Sequence, residues 1–219
     1  MPDLGPLWLS LRVASLATVA IVVVGVPIAM ILARGRFAGK GLLAGILLLP
    51  LVLPPTVLGY GLLLVLSRRA PMGLWLERTW GVQLVFNWVG AVIASSVAAF
   101  PMFLVPVRSA FESVDPALEN AARLLGRGER SVFLSVTVPL AWRGLVAGAV
   151  LAFARALGDF GATLMVAGDI PGRTQTASLA IYDAVQVGDT SRAGLLTLLV
   201  ASVSIAAILI AQKTTPVRR

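Results

Sequence analysis

An all-α membrane domain of about five spanning helices is the fold class this sequence predicts. Three observations predict it. Of 219 residues, 58% are hydrophobic and only 13% are charged, whereas a soluble domain of this length carries about a quarter charged residues. Several apolar runs reach the roughly 20 helical residues that cross about 30 Å of hydrocarbon. The runs are apolar all round, without the short alternating segments of barrel strands, so helices are the spanning form.

The spans follow in order. The first is about Leu11 to Ala33. The preceding "MPDLGPLWLSLR" has no basic n-region, and the run outlasts a signal h-region, so an uncleaved membrane helix is expected. The second is about Gly41 to Leu66 and carries Pro50, Pro54 and Pro55. The third, about Leu84 to Val107, carries Pro101 and Pro106. Proline removes a backbone donor and kinks a helix, which lipid tolerates where neighbours or a wet cavity satisfy the freed carbonyls. Two readings of "LPLVLPPTVLGY" (Leu49 to Tyr60) stay open: ordinary kinking, or a bend around a pathway. The fourth span is about Gly144 to Val166 and the fifth about Ala193 to Ala211. Pairs Gly41–Gly45 and Gly144–Gly148 have the small-x-x-x-small spacing of closely packed membrane helices. Trp75, Trp80, Trp88 and Trp142 fall near helix ends, as interfacial anchors do.

Lys and Arg set the orientation. Arg34, Arg36, Lys40, Arg108, Arg123, Arg127, Arg130, Arg143, Lys213, Arg218 and Arg219 would share one side, and only Arg68, Arg69, Arg78, Arg173 and Arg192 the other. The richer side faces the cytoplasm, which puts the N-terminus out and the C-terminus in. With no repeat and no linker, residues 1–219 read as one transmembrane domain. Five helices do not divide into inverted halves, which argues against a self-contained secondary transporter.

Composition also excludes functions. The chain has no Cys and no His, which removes thiol catalysis, disulfides, most transition-metal sites and the usual neutral-pH proton shuttle. The net charge of +8 fits cytoplasmic loops, and no nucleic-acid motif accompanies it. "GRFAGKG" (Gly35 to Gly41) superficially resembles a phosphate-binding loop. Such a loop needs four residues before Gly-Lys and then Ser or Thr. Here there are three, and Gly41 takes the hydroxyl position. No ATP site, metal site or covalent chemistry is expected in this chain.

Between the third and fourth spans, about residues 109–140, lies a charged, helix-forming segment. Asp115 is placed as N-cap, Pro116 as the first helical residue, Glu119 at the capping-box spacing and Gly126 as the stop. Glu119 and Arg123, at i and i+4, are expected to pair. A helix of about three turns is not stable alone in water and needs a surface to lie on. That surface is either its own membrane domain and headgroups, or a groove in another protein.

"NAARLLG" followed by nine residues and then "VTVP" resembles the EAA signature of ABC importer membrane subunits. The matching positions are Asn120, Ala121, Ala122, Gly126, Val136, Val138 and Pro139; Asn120 replaces the signature Glu, with Glu119 adjacent. "LPLVLPPTVLGYGLL" and "LAFARALGDFGATLMVAGDIPGRTQTASLAIYDAVQVGD" are similar to the molybdate-transport permeases, over about residues 7 to 212. The resemblance implies a homodimeric permease in a bacterial inner membrane. It works with two ATP-binding cassette subunits, which hold ATP and Mg, and with a periplasmic molybdate-binding protein. It also implies that Glu119, Asn120, Ala121, Ala122, Arg123, Leu124, Gly126 and Pro139 belong to a coupling helix seated on the ATPase. Tungstate matches molybdate in size and charge. Sulfate or thiosulfate import, a non-transporting scaffold and an ATP-independent channel are the alternatives.

Within the spans, Pro54, Pro55, Arg155, Gly158, Asp159, Gly161 and Thr163 are the candidate pathway or gate residues. Ionisable groups at this depth usually face a cavity or each other. Arg155 and Asp159, at i and i+4, form either a self-neutralising pair or a positive element on an oxyanion route. Gly158 and Gly161 would let the helix unwind, so that backbone N–H groups and the Thr163 hydroxyl could meet a dianion. Passage favours weak, successive contacts, so no tight site is expected. By the resemblance, Arg173 and Thr174 are candidate contacts for the external binding protein or for the closed gate, or else part of a solvated loop.

Overall fold

The computed structural model describes residues 4–81 and 83–214. Arg218 and Arg219 lie outside the described residues, as do the side chains of Lys213 and Trp80. The chain is all-α, with no strand among the described residues. The helices are α1 (Gly5–Arg34), α2 (Lys40–Val52), α3 (Pro55–Leu66), α4 (Pro71–Trp80), α5 (Trp88–Ser113) and α6 (Pro116–Leu124). They continue with α7 (Glu129–Val132), a π-helical turn (Phe133–Thr137), α8 (Val138–Leu157), α9 (Gly161–Ala167), α10 (Ala177–Gln186) and α11 (Thr190–Thr214).

Four helical stretches are long and apolar enough to cross a bilayer: α1, α5, the continuous run Glu129–Leu157, and α11. A fifth crossing requires α2 and α3 to act together, and they meet at 116°. The second span is therefore broken, not merely kinked. Leu53 and Pro54 each precede a proline, and that position is pushed from helical to extended backbone. Leu53 sits at φ −69°, ψ 138° and Pro54 at φ −52°, ψ 136°. Pro50, Pro101 and Pro106, by contrast, remain inside helices.

The fourth span also differs from its expected bounds. It begins at Glu129, because the Ser- and Thr-containing "SVFLSVTV" continues the helix through the π turn. It ends at Leu157, and α9 follows as a separate helix after the break at Gly158.

The core is built where α5 packs against α1 and α8. Small residues let the backbones approach: Ala14, Ala17, Ala99 and Ala152 are fully buried beside Phe103 and Phe111. A Cβ on Gly148 would lie 2.8 Å from the Val107 side chain, so Gly148 is a close-approach position. Gly144 likewise abuts Ala110, but a Cβ on Gly41 or Gly45 would meet open space among the described residues. α9 rests on α3 and α5. The bend is seated there, with Gly59 against Ala162 and Met165, and Gly161 against Pro55.

Candidate functional site

The charged segment folds as its sequence dictates locally. Asp115 Oδ1 accepts the Ala117 N–H at 2.8 Å and caps α6. At the other end Gly126 adopts φ +80°. Its N–H donates to Arg123 O, and that of Arg127 donates to Ala122 O, the paired bonds of a Schellman stop.

The side chains of α6 are arranged differently from the expected i, i+4 pair. Glu119 does not bond Arg123. It turns inward, 4% exposed, and accepts from Arg34 Nη2 at 3.2 Å and from Thr137 Oγ1 at 2.8 Å. Arg34 Nη2 also donates to Val114 O at 2.7 Å. The carboxylate thus ties α6 to the end of α1 and to the π turn, and Arg34 extends the link to the residue that ends α5. The reason is burial: a desolvated carboxylate requires a cation and hydrogen bonds, and Arg34 is the cation that the fold brings to it.

Arg123 is released for a different partner. It makes a two-pronged pair with Glu129, at 2.7 Å and 3.1 Å, and donates to Asn120 Oδ1 at 2.8 Å. The hydrogen bond to Glu129 raises the Arg123 guanidinium above its ordinary value, and the same bond lowers the Glu129 carboxyl. The result is a fastened α6–α7 hairpin. Its outer surface carries Leu118 at 50% exposure, Leu124 at 89% and Leu125 at 84%, together with exposed Asn120 and Ala121. Ala122 is half-buried, and Gly126 and Pro139 are exposed.

At the end of α8, Arg155 Nη1 donates to Asp159 Oδ1 at 3.1 Å, and the pair forms as the spacing predicts. Asp159 is buried, and its other oxygen accepts from the Thr163 N–H at 3.0 Å and the Thr163 hydroxyl at 2.7 Å. It therefore caps the start of α9. Thr163 is itself buried and bonded to Ser95 Oγ at 3.2 Å. Both Thr163 donors are committed to Asp159 in this conformation. The Arg155 side chain remains 29% exposed. Pro54 and Pro55 are exposed on the bend, and Gly161 is buried against it.

Thr174 also differs from expectation. It is 1% exposed, and its hydroxyl accepts from Ile170 N–H and donates to Gly168 O, both at 3.1 Å. It holds its own turn together and presents no surface to a docked protein; Arg173 beside it is exposed. Sequence reasoning missed Arg34, Ser95, Thr137 and Arg12 as polar partners. Only Ser95, in the "SS" of an otherwise apolar run, left a local signal.

A polytopic helical domain with a short charged helix fastened beneath it is the architecture of a transporter membrane component. The family model described as "Binding-protein-dependent transport system inner membrane component" matches residues 25–213, and the chain belongs to that family. Among its relatives is the molybdenum transport system permease protein ModB of Escherichia coli K12, 42% identical over 96% of this chain and 93% of the relative. ModB of Haemophilus influenzae is 42% identical over 84% of this chain and 80% of the relative. ModB of Azotobacter vinelandii is 39% identical over 87% and 84%.

Proposed function

We propose that this chain is the permease subunit of an ATP-driven importer that carries molybdate, with tungstate as its near-equivalent, across a bacterial inner membrane. Similarity to molybdenum permeases over nearly the whole chain supports the substrate class. Two copies of the chain, forming one transmembrane domain each, would enclose the pathway, with the N-terminus outside and the C-terminus in the cytoplasm, as the Lys and Arg distribution indicates. An external binding protein would select the oxyanion and deliver it at the face where Arg173 is exposed. ATP and Mg belong to two partner subunits.

The observation that carries the coupling mechanism is the two-sided nature of α6. Its inner side is fastened by the buried Glu119. Its outer side presents Leu118, Leu124 and Leu125 to solvent. An exposed apolar patch on a fastened helix is a docking surface. A partner that grips the leucines moves α1, the end of α5 and the π turn with α6, because Glu119 bonds Arg34 and Thr137 and Arg34 in turn bonds Val114 O. ATP closure of the partner would then select between two arrangements of the membrane helices. Arg155 would lend a positive field near the bend, weak enough to let a dianion pass.

The absence of native cysteine makes the docking test direct. A single Leu124→Cys is expected to cross-link to the ATP-binding subunit, with a yield that changes between ATP-bound and nucleotide-free states. No cross-link in an intact complex would remove α6 from the interface.

A further inference from the structure

A cavity lies at the opposite end of the bundle from α6, and nothing in the coupling scheme uses it. It encloses about 600 Å³ between the start of α1, the start of α5 and the turn that precedes α10. Arg12 and Arg173 both line it, and no Asp or Glu among its lining residues balances them. Neither guanidinium forms an ion pair with another described residue. Two cations lining one cavity without an acid repel each other unless an anion joins them.

The surroundings hold the Arg12 side chain and the Arg173 backbone in place. The Arg12 guanidinium stacks over the Trp88 ring, 4.1 Å from its centroid, an arrangement that orients the fork while leaving its N–H edges free. Arg173 stands on a turn whose successive N–H groups, from Arg173, Thr174 and Gln175, all converge on Ile170 O at 2.9–3.1 Å. The Thr174 hydroxyl closes the same turn. Gln175, 4% exposed, adds a neutral polar group to the wall.

We propose that this cavity is a binding site for a tetrahedral oxyanion, with Arg12 and Arg173 as its ligands. Planar guanidinium forks match the paired oxygens of such an anion. The anion arrives either free, as an XO4-type ion, or as the phosphate of a lipid headgroup. The site lies on the face that the transport reading assigns to delivery, but binding here requires neither ATP nor passage.

The test uses the intact complex in nanodiscs, without ATP and without the external binding protein. In zwitterionic phosphatidylcholine discs, labelled molybdate is titrated by equilibrium dialysis, with inorganic phosphate as competitor. In discs containing phosphatidylglycerol, native mass spectrometry reads retained lipid. Saturable molybdate binding that phosphate displaces identifies the free ion as the occupant. Retained phosphatidylglycerol without molybdate binding identifies the headgroup. In either case R12Q/R173Q is expected to weaken binding by about tenfold or more, as loss of charge-assisted hydrogen bonds demands. Both side chains are exposed, and R173Q alone, on a surface turn, serves if the double variant fails to assemble. Binding unchanged in the variants, or no binding in either disc, would overturn the proposal.

Discussion

Removing the Glu119 carboxylate should free α6 from the membrane helices while leaving those helices folded. The Glu119 side chain is 5% exposed and that of Arg34 is 26% exposed. Deleting one partner of a fully buried pair costs about 3–5 kcal/mol. Arg34 is a quarter exposed and keeps its bond to Val114 O, so solvent screens part of that loss and about 2–3 kcal/mol remains for Glu119→Ala. The population of detached α6 then rises roughly 30- to 150-fold. Glu119→Gln keeps an acceptor for the Thr137 hydroxyl and loses only the ionic part, so it should cost about 1–2 kcal/mol. Limited trypsin digestion of the intact complex reads the effect, because Arg127 and Arg130 are exposed on the α6–α7 segment. Cleavage there should accelerate in the order wild type, Gln, Ala, and ATP hydrolysis should lose its link to uptake in the same order. A Glu119→Ala complex with wild-type cleavage and full ATP-driven uptake would refute the reasoning.

Three further outcomes follow from the same geometry. Ala121→Glu places a bulky charge on the exposed side of α6 and should abolish uptake while the complex still purifies folded, as gel filtration and uptake assays will show. Arg155→Ala leaves Asp159 buried without its cation and, with Arg155 partly screened by solvent, should destabilise by about 2–3 kcal/mol. Arg155→Ala/Asp159→Ala should recover part of that in a thermal melt, and transport by the double variant then reports whether the cation also serves the pathway. Finally, the Glu129 carboxyl is lowered by Arg123. Its contribution is present above the unfolded carboxylate value of about 4.3 and is lost as pH falls through the lower folded value. A spin label at position 125 should become more mobile only below about pH 4.3, and in Arg123→Gln it should already be mobile at pH 7.

Much of this architecture was legible because it depends on run length and local rules. Apolar runs marked the spans, and the α6 stops worked as Asp115 and Gly126 suggested. The break after α2 lay in the double proline, although its 116° turn depends on α9 packing into the bend, which is a tertiary matter. The partner of Glu119 was not legible. On a short Ala-rich helix, i+4 spacing favours Arg123, and only the fold brings Arg34 across 85 positions to compete with it. Once Glu119 turns inward, Arg123 is left for Glu129. The internal partners of Thr163 and Thr174 were not legible for a related reason: each hydroxyl finds an acceptor within six residues of itself that only the folded turn brings into reach. Arg12 was hidden inside a run read only for hydropathy, and its cavity exists only where three distant segments meet.

The central claim is ATP-driven passage of a molybdate-class oxyanion through this chain. It is tested most directly by uptake of labelled molybdate into vesicles holding the chain with its ATP-binding and external binding partners. The expected result is ATP-dependent uptake that tungstate blocks and sulfate does not. Block by sulfate would contradict the substrate and move the chain to sulfate or thiosulfate import. No ATP-dependent uptake of any of these oxyanions by a folded, assembled complex would contradict the transport mechanism itself.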